Sequence, residues 1–291
     1  MMFNGYNEEL VQSIKYWLQE DVGSGDITTR TTIPAGHESK GIIHAKEDGI
    51  ICGVPVAELV FEIVDPSLTF KALVKEGQAV SKGTVIAEVE GSTHAILTGE
   101  RLALNLMQRL SGVATRTSSF VQALEGLPTR LVDTRKTTPG HRMLEKYAVR
   151  IGGGANHRFG LYDAVMIKDN HIKGAGGIRQ AVSRARANIP HTMTIEVETE
   201  SLEQVDEAIA AGADIIMLDN MSAEMMKTAV SRIHSKAPHV KTEASGNVSL
   251  ETVREMAESG VDVISVGRLT YSFSSLDISL DLNGKKEGTQ S

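Results

Sequence analysis

The stretch Ala211-Gly-Ala-Asp-Ile-Ile-Met-Leu-Asp-Asn220 decides how the second half of the chain is read. A small residue and an aspartate stand just before an apolar strand, and the strand closes on a second acid. The pattern returns in Leu161-Tyr-Asp-Ala-Val-Met-Ile-Lys-Asp-Asn170 and in Ser259-Gly-Val-Asp-Val-Ile-Ser-Val-Gly267. Helical stretches such as 202–211 and 250–259 lie between these runs, so strand and helix alternate. Strands are expected at 130–134, 163–168, 192–198, 214–219, 240–245 and 261–266. They recur roughly 20 to 30 residues apart, the length of a βα unit. Alternating units predict parallel strands with right-handed crossovers. Six such strands imply an α/β barrel that is either open or completed by other elements.

In barrels of this kind the site lies at the carboxyl ends of the strands. Those ends carry Asp133, Arg135 and Lys136; Lys168 and Asp169; Glu196 and Glu198; Asp219; Glu243 and Ser245; Ser265 and Gly267. The first of them opens Leu131-Val-Asp-Thr-Arg-Lys-Thr-Thr-Pro-Gly-His-Arg142, where a turn with hydroxyls and backbone N–H groups suits anions. A solvated loop or a helix cap explains any one of these residues alone. It does not explain consecutive strands that all end in polar residues of both signs.

Side chains alternate along a strand, so Glu196 and Glu198 share one face, as do Met217 and Asp219. Arg135, Lys136, His157, Arg158 and Lys168 form a cationic set suited to a polyanion. Glu198 and Asp219 suit a magnesium ion that keeps most of its waters, or else sugar hydroxyls. Ser245-Gly246-Asn247 and Ser265-Val266-Gly267 resemble the paired loops by which late barrel strands hold a phosphate. The glycine run Gly152-Gly-Gly-Ala-Asn-His-Arg158 lacks the spacing and the acid of a dinucleotide fingerprint.

The first half reads differently. Asn7 is placed to cap a helix with Leu10, Val11, Ile14, Trp17 and Leu18 on one face, Trp17 in the core. A polar loop at 20–29 precedes short strands at 41–45 and 49–52 and a helix at 55–64. The segment 74–90 resembles half of a biotinyl or lipoyl carrier barrel but lacks the lysine presented at a hairpin tip, so it reads as architecture. Two helices, 93–112 and 113–124, follow, with Arg101 and Arg109 among apolar positions. The expected division is an α/β sandwich-like domain over 1–112 and a barrel over 113–291 that carries most of the site. Roughly the last 20 residues are expected to pack back on the first domain.

The 291 residues are 41% hydrophobic with a net charge of −7, which argues against general nucleic-acid or anionic-membrane binding. The single cysteine, Cys52, excludes an intrachain disulfide and points to a reducing compartment. With no targeting pattern at the amino terminus and no apolar run of bilayer length, a cytoplasmic protein is expected.

Five stretches resemble the quinolinate phosphoribosyltransferase family: Glu100-Arg-Leu-Ala-Leu-Asn105, Arg109-Leu-Ser-Gly-Val-Ala-Thr115, Asp133-Thr-Arg-Lys-Thr-Thr-Pro-Gly140, Gly152-Gly-Gly-Ala-Asn-His-Arg158 and Met166-Ile-Lys-Asp-Asn-His171. The likeness covers nearly the whole chain, with small departures such as His141 at an apolar position of the family. It implies an amino-terminal α/β domain and an open α/β barrel. The implied enzyme is a pentosyltransferase that joins quinolinate to phosphoribosyl pyrophosphate with loss of carbon dioxide, giving nicotinate mononucleotide for NAD synthesis. Carried onto this sequence, Arg101, Arg135, His157, Arg158 and Lys168 would bind quinolinate. Lys136, Glu198 and Asp219 would serve phosphoribosyl pyrophosphate and its magnesium, and Ser245, Gly246, Asn247, Ser265, Val266 and Gly267 its 5′-phosphate. The resemblance further implies no organic cofactor and a homodimer, or a higher oligomer, with composite sites to which Arg101 contributes from the neighbouring subunit. A related transferase for another acidic pyridine or pyrimidine, and a non-catalytic phosphate sensor, are the alternative readings.

Overall fold

A computed structural model describes residues 7–283. Helix α1 (Asn7–Val22) buries Leu10 and Ile14, one turn apart. The Asn7 side chain, expected as its cap, lies outside the described residues. Trp17 is only part-buried, which corrects its expected place in the core; an indole is too large to be enclosed readily. The expected loop at 20–29 is also cut short. Asp26 caps α2 (Ile27–Thr32), accepting the Thr29 N–H at 3.0 Å.

Strand β1 (Glu38–Ala45) buries every second residue, Ser39, Gly41, Ile43 and Ala45. Then come β2 (Gly49–Ile50), α3 (Val54–Val64), β3 (Thr69–Ala72), β4 (Ala79–Val80) and β5 (Val85–Ser92). β5 runs antiparallel to both β1 and β3, and β2 pairs with β4. Phe61 of α3 stacks on Phe70 of β3 at a centroid distance of 5.9 Å. The hairpin segment has an architectural task. Its Glu76 carboxylate accepts the N–H groups of Gly53 and Val54 at 2.5 and 3.1 Å, and so satisfies the start of α3.

One helix, α4 (Thr93–Ala123), replaces the two expected at 93–112 and 113–124. Gly112 does not break it because Ser111, Gly112 and Val113 are all buried. Packing there outweighs the roughly 1 kcal/mol by which glycine disfavours a helix interior. The chain divides into two compact units, and the division falls inside α4, after Thr115.

The second unit, Arg116–Phe273, repeats strand and helix. Its elements are β6 (Arg130–Val132), α5 (Arg142–Ile151), β7 (Val165–Ile167), α6 (Asp169–Ala175), α7 (Ile178–Asn188), β8 (Ile195–Thr199), α8 (Leu202–Ala211), β9 (Ile215–Asp219), α9 (Ala223–Lys236), β10 (Lys241–Ser245), α10 (Val253–Glu258), β11 (Val263–Ser265) and α11 (Arg268–Tyr271). The strands form one parallel sheet in the order β6-β11-β10-β9-β8-β7. β6 and β7 do not pair with each other, so the barrel is open. Ala155 bridges to Val132 on the free edge of β6. After α11 the chain adds β12 (Ile278–Asn283), antiparallel to β1, to the first unit. Among the described residues no helix is long and apolar enough to cross a membrane.

The repeated aspartate before the strands is a stitch. Asp214, before β9, accepts the Ile195 N–H of neighbouring β8 at 2.7 Å. Asp262, before β11, accepts the Thr242 N–H and hydroxyl of neighbouring β10, each at 2.9 Å. Asp163 differs and holds the Phe159 N–H within its own loop. Burial works against the Asp262 charge, but hydrogen bonds from Thr242 and Lys241 outweigh it and hold the carboxyl below its usual range. A depressed folded-state pKa stabilises above the unfolded value of about 3.9, and the gain is lost as pH falls through the folded value. Asp262→Ala should therefore cost about 1–3 kcal/mol in urea unfolding at pH 7, with the difference from the parent shrinking below about pH 4.

Candidate active site

A cavity of about 600 Å³ lies at the carboxyl ends of the second unit's strands. It gathers Arg135, Lys136, His157, Arg158, Lys168, Glu198, Asp219, Ser245, Gly246, Asn247, Ser265, Val266 and Gly267. Every residue that the family resemblance assigns in that unit lines it. Arg101 does not; it stands exposed on α4 in the first unit, 4.0 Å from Glu100.

One side of the cavity is built from backbone. Asn220 and Asn247 are left-handed, with φ of 53° and 49°, and Gly246 between their loops has φ of 92°. The Asn220 N–H donates to the Ser245 carbonyl at 3.0 Å, and Asn247 Nδ2 donates to Asn220 Oδ1 at 3.3 Å. A Cβ on Gly246 would stand 2.2 Å from Asn220 Oδ1. The two loops can approach this closely only with glycine there.

The charges sort by partner. Lys168 Nζ donates to Glu198 Oε2 at 2.6 Å, and Asn220 Nδ2 donates to Asp219 Oδ2 at 2.6 Å. Glu198 and Asp219 are oxygen donors on adjacent strands, a set that fits magnesium. Among the described residues the side chains of Arg135 and Lys136 make no hydrogen bond or ion pair. Burial, and then the charge of Arg135, lower the proton affinity of the Arg158 guanidinium. Unpaired cations that repel one another in one cavity are a receptor for an anion.

His157 sits above a second pair of acids. Its Nε2 lies 3.3 Å from Glu196 and 3.5 Å from Glu243, both 3% exposed. Burial opposes a charged imidazole, but the hydrogen bonds to Glu196 and Glu243 and their charges outweigh it and push His157 up to about 10. The Arg158 N–H, 2.7 Å from Nδ1, works the other way and favours a lone pair on that nitrogen. Both influences leave a proton on Nε2, between the carboxylates. The three residues are spaced closely enough for a metal ion, but a protonated Nε2 has no lone pair to offer one. Glu198 lines the cavity and Glu196 does not.

Asp133 requires a correction. The sequence suggests a charge displayed at a strand end, yet Asp133 is fully buried, pairs with buried Lys146 and does not line the cavity. Thr134, Met166, Met217, Asn220, Glu243, Val248, Arg268 and Tyr271 line it without having been assigned a role. The inward parity of Met217 and the strand-end place of Glu243 were signals for two of them. Tyr271 gave none, because α11 is a four-residue helix with no readable period.

Residues 113–281 match the family model of the quinolinate phosphoribosyl transferase C-terminal domain, and residues 26–111 that of its N-terminal domain. The chain belongs to the quinolinate phosphoribosyltransferase family. Among relatives of this phosphoribosyltransferase, a probable nicotinate-nucleotide pyrophosphorylase (carboxylating) of Bacillus subtilis is 45% identical over 97% of this chain and 96% of that one. A protein of the same description from Synechocystis is 53% identical over 74% and 72%. The crystal structure of NadC from Streptococcus pyogenes superposes with a TM-score of 0.91 at 41% identity, covering 98% of this chain and 99% of that one. The nicotinate-nucleotide pyrophosphorylase from Francisella tularensis gives 0.90 at 40% identity, covering 95% and 97%. In this phosphoribosyltransferase, Gly246→Ala should lower the melting temperature by a few degrees and kcat/KM about 100-fold, through backbone strain and misplacement of the strand-end loops.

Proposed function

We propose that this chain transfers the phosphoribosyl group of phosphoribosyl pyrophosphate to the ring nitrogen of quinolinate and decarboxylates the product, giving nicotinate mononucleotide, pyrophosphate and carbon dioxide in NAD synthesis. The observation that carries this reading is the sorting of charge in one cavity. Unpaired Arg135 and Lys136 stand with Arg158 near the first strand end, while Glu198 and Asp219 lie across the later strands.

Arg135, His157, Arg158 and Lys168 take the two carboxylates of quinolinate. Ser245, Gly246, Asn247, Ser265, Val266 and Gly267 hold the 5′-phosphate, with Lys136 at the pyrophosphate. Glu198 and Asp219 would hold magnesium, which supplies charge neutralisation at the leaving group. The bond from the anomeric carbon to pyrophosphate breaks with its electron pair going to the leaving group, and the pyridine nitrogen supplies the pair for the new bond. The ring is then cationic and accepts the electrons left when carbon dioxide departs from the neighbouring carbon, which takes a proton from water. No side-chain nucleophile is needed, and buried Cys52 does not line the cavity. A cytoplasmic setting fits a chain with one buried, unpaired thiol.

The direct test is release of labelled carbon dioxide and formation of nicotinate mononucleotide from the two substrates, with and without magnesium. Arg135→Ala and Lys168→Ala should each weaken quinolinate binding roughly 10- to 150-fold. Glu198→Gln and Asp219→Asn should lose turnover and magnesium dependence instead, and calorimetry showing that all four variants keep quinolinate would refute the assignment.

We infer further that Arg101 serves the cavity of a neighbouring subunit in a two-fold dimer. A shared site would exclude water, which strengthens the charge contacts on which the reaction depends. After subunit exchange between inactive Arg101→Ala and Lys168→Ala chains, activity should return to about a quarter of all sites. No recovery after verified exchange would sink the shared site.

A further inference from the structure

The buried charges behind the cavity have no place in the reaction as described, and they converge on one residue. Asp133, just after β6, and Lys146, on α5, are each 0% exposed and form an ion pair. Neither side chain lines the cavity. Asp133 Oδ1 accepts the His157 N–H at 2.9 Å, and Lys146 Nζ donates to the His157 carbonyl at 3.0 Å. Asn156 completes the frame, donating to Asp133 Oδ2 at 2.6 Å and to the Lys146 carbonyl at 2.9 Å. The preceding residue, Ala155, is tied to β6 through Leu131 at 2.8 Å and Asp133 at 3.2 Å.

Such a pair is an expensive way to fill a core. Burial pushes the Asp133 carboxyl up and the Lys146 ammonium down, each only partly offset by its partner. Well-packed apolar residues of similar size commonly match or exceed the stability of a buried ion pair. What apolar residues cannot do is hold a backbone N–H and a backbone carbonyl of the same residue from opposite sides. The segment also needs holding, because it follows Gly152, Gly153 and Gly154 and lies on the open edge of the barrel.

We propose that Asp133 and Lys146 are positioning residues for the dicarboxylate: their ion pair grips His157 at both its N–H and its carbonyl and so sets where the His157 and Arg158 side chains enter the cavity. This rests on the reading that those two side chains bind quinolinate. Asp133 and Lys146 touch no substrate and act through the backbone of residues 156–158. Ser245 to Asn247 is carried on β10, which does not pair with β6, and Ser265 to Gly267, on β11 beside β6, is held by its own backbone bond from the Val266 N–H to the Val132 carbonyl at 2.9 Å, which the grip on His157 does not include.

The test is a split between the two Michaelis constants. Asp133→Leu/Lys146→Met removes both charges together, so no lone buried charge is left to unfold the chain. It should unfold cooperatively, with quinolinate KM raised about 10- to 100-fold and phosphoribosyl pyrophosphate KM unchanged, because displacements near 1 Å carry penalties of that order. If the double variant does not fold, Asp133→Asn/Lys146→Met decides: the amide oxygen still accepts the His157 N–H, the carbonyl is released with no charge left buried, and quinolinate KM alone should rise. A folded variant with parental quinolinate KM, or one in which both constants rise together, overturns the proposal. His157→Ala is the control for the underlying reading. If it leaves quinolinate KM unchanged, the substrate assignment fails and the positioning role with it; if it raises KM while the ion-pair variants do not, only the positioning role falls.

Discussion

The second unit depends on one parallel ladder. Six strands joined in the order β6-β11-β10-β9-β8-β7 bring six carboxyl ends to one side and six amino ends to the other. The amino ends are stitched by Asp214 and Asp262 to the backbone of the next strand. The carboxyl ends are left to carry side chains that the ladder does not need. The ladder stops at β6 and β7, and the Gly152–Arg158 segment comes in against β6 where a further strand would lie in a closed barrel. Openness is therefore part of the site's construction, because it admits His157 and Arg158 from a loop.

Within the cavity the protein uses charge in two ways. Among the described residues the side chains of Arg135 and Lys136 have no partner, so a ligand anion meets them with no such ion pair to break. Lys168 is instead paired with Glu198, 2.6 Å away. A ligand that takes Lys168 either displaces Glu198 or shares the ammonium's remaining N–H donors with it. The acids one step deeper, Glu196 and Glu243, are both engaged by His157, and of the two only Glu243 still reaches the cavity. Spacing two residues apart along β8 thus separates a carboxylate that faces the cavity from one that supports its wall.

Family membership and cavity chemistry point to the same conclusion. The relatives fix the reaction class, and the cavity shows residues of this chain that can carry it out. The buried frame of Asp133, Lys146 and Asn156 adds that precise placement of a glycine-rich loop is itself costly, and that charge is spent behind the site as well as in it.

Much of this was legible in the letters. The alternation of apolar runs with helical stretches located all six barrel strands, and their polar ends located the cavity, because local periodicity and strand parity are properties of the chain itself. The family resemblance named many of the residues that line it, but it also named Arg101, which does not, and passed over Glu243 and Tyr271, which do. The letters could not show that Gly112 lies within one unbroken helix, since burial supplied by distant residues overrides a local propensity. Nor could they separate Asp133 from Arg135 or Glu196 from Glu198. Both acids are polar residues at strand ends in sequence, and only the folding of α5 and the 155–158 segment against β6 decides that Asp133 is enclosed. Tertiary structure decides such cases because a charge is defined by its surroundings: the same carboxylate is a ligand where the cavity reaches it and a strut where another chain segment arrives first.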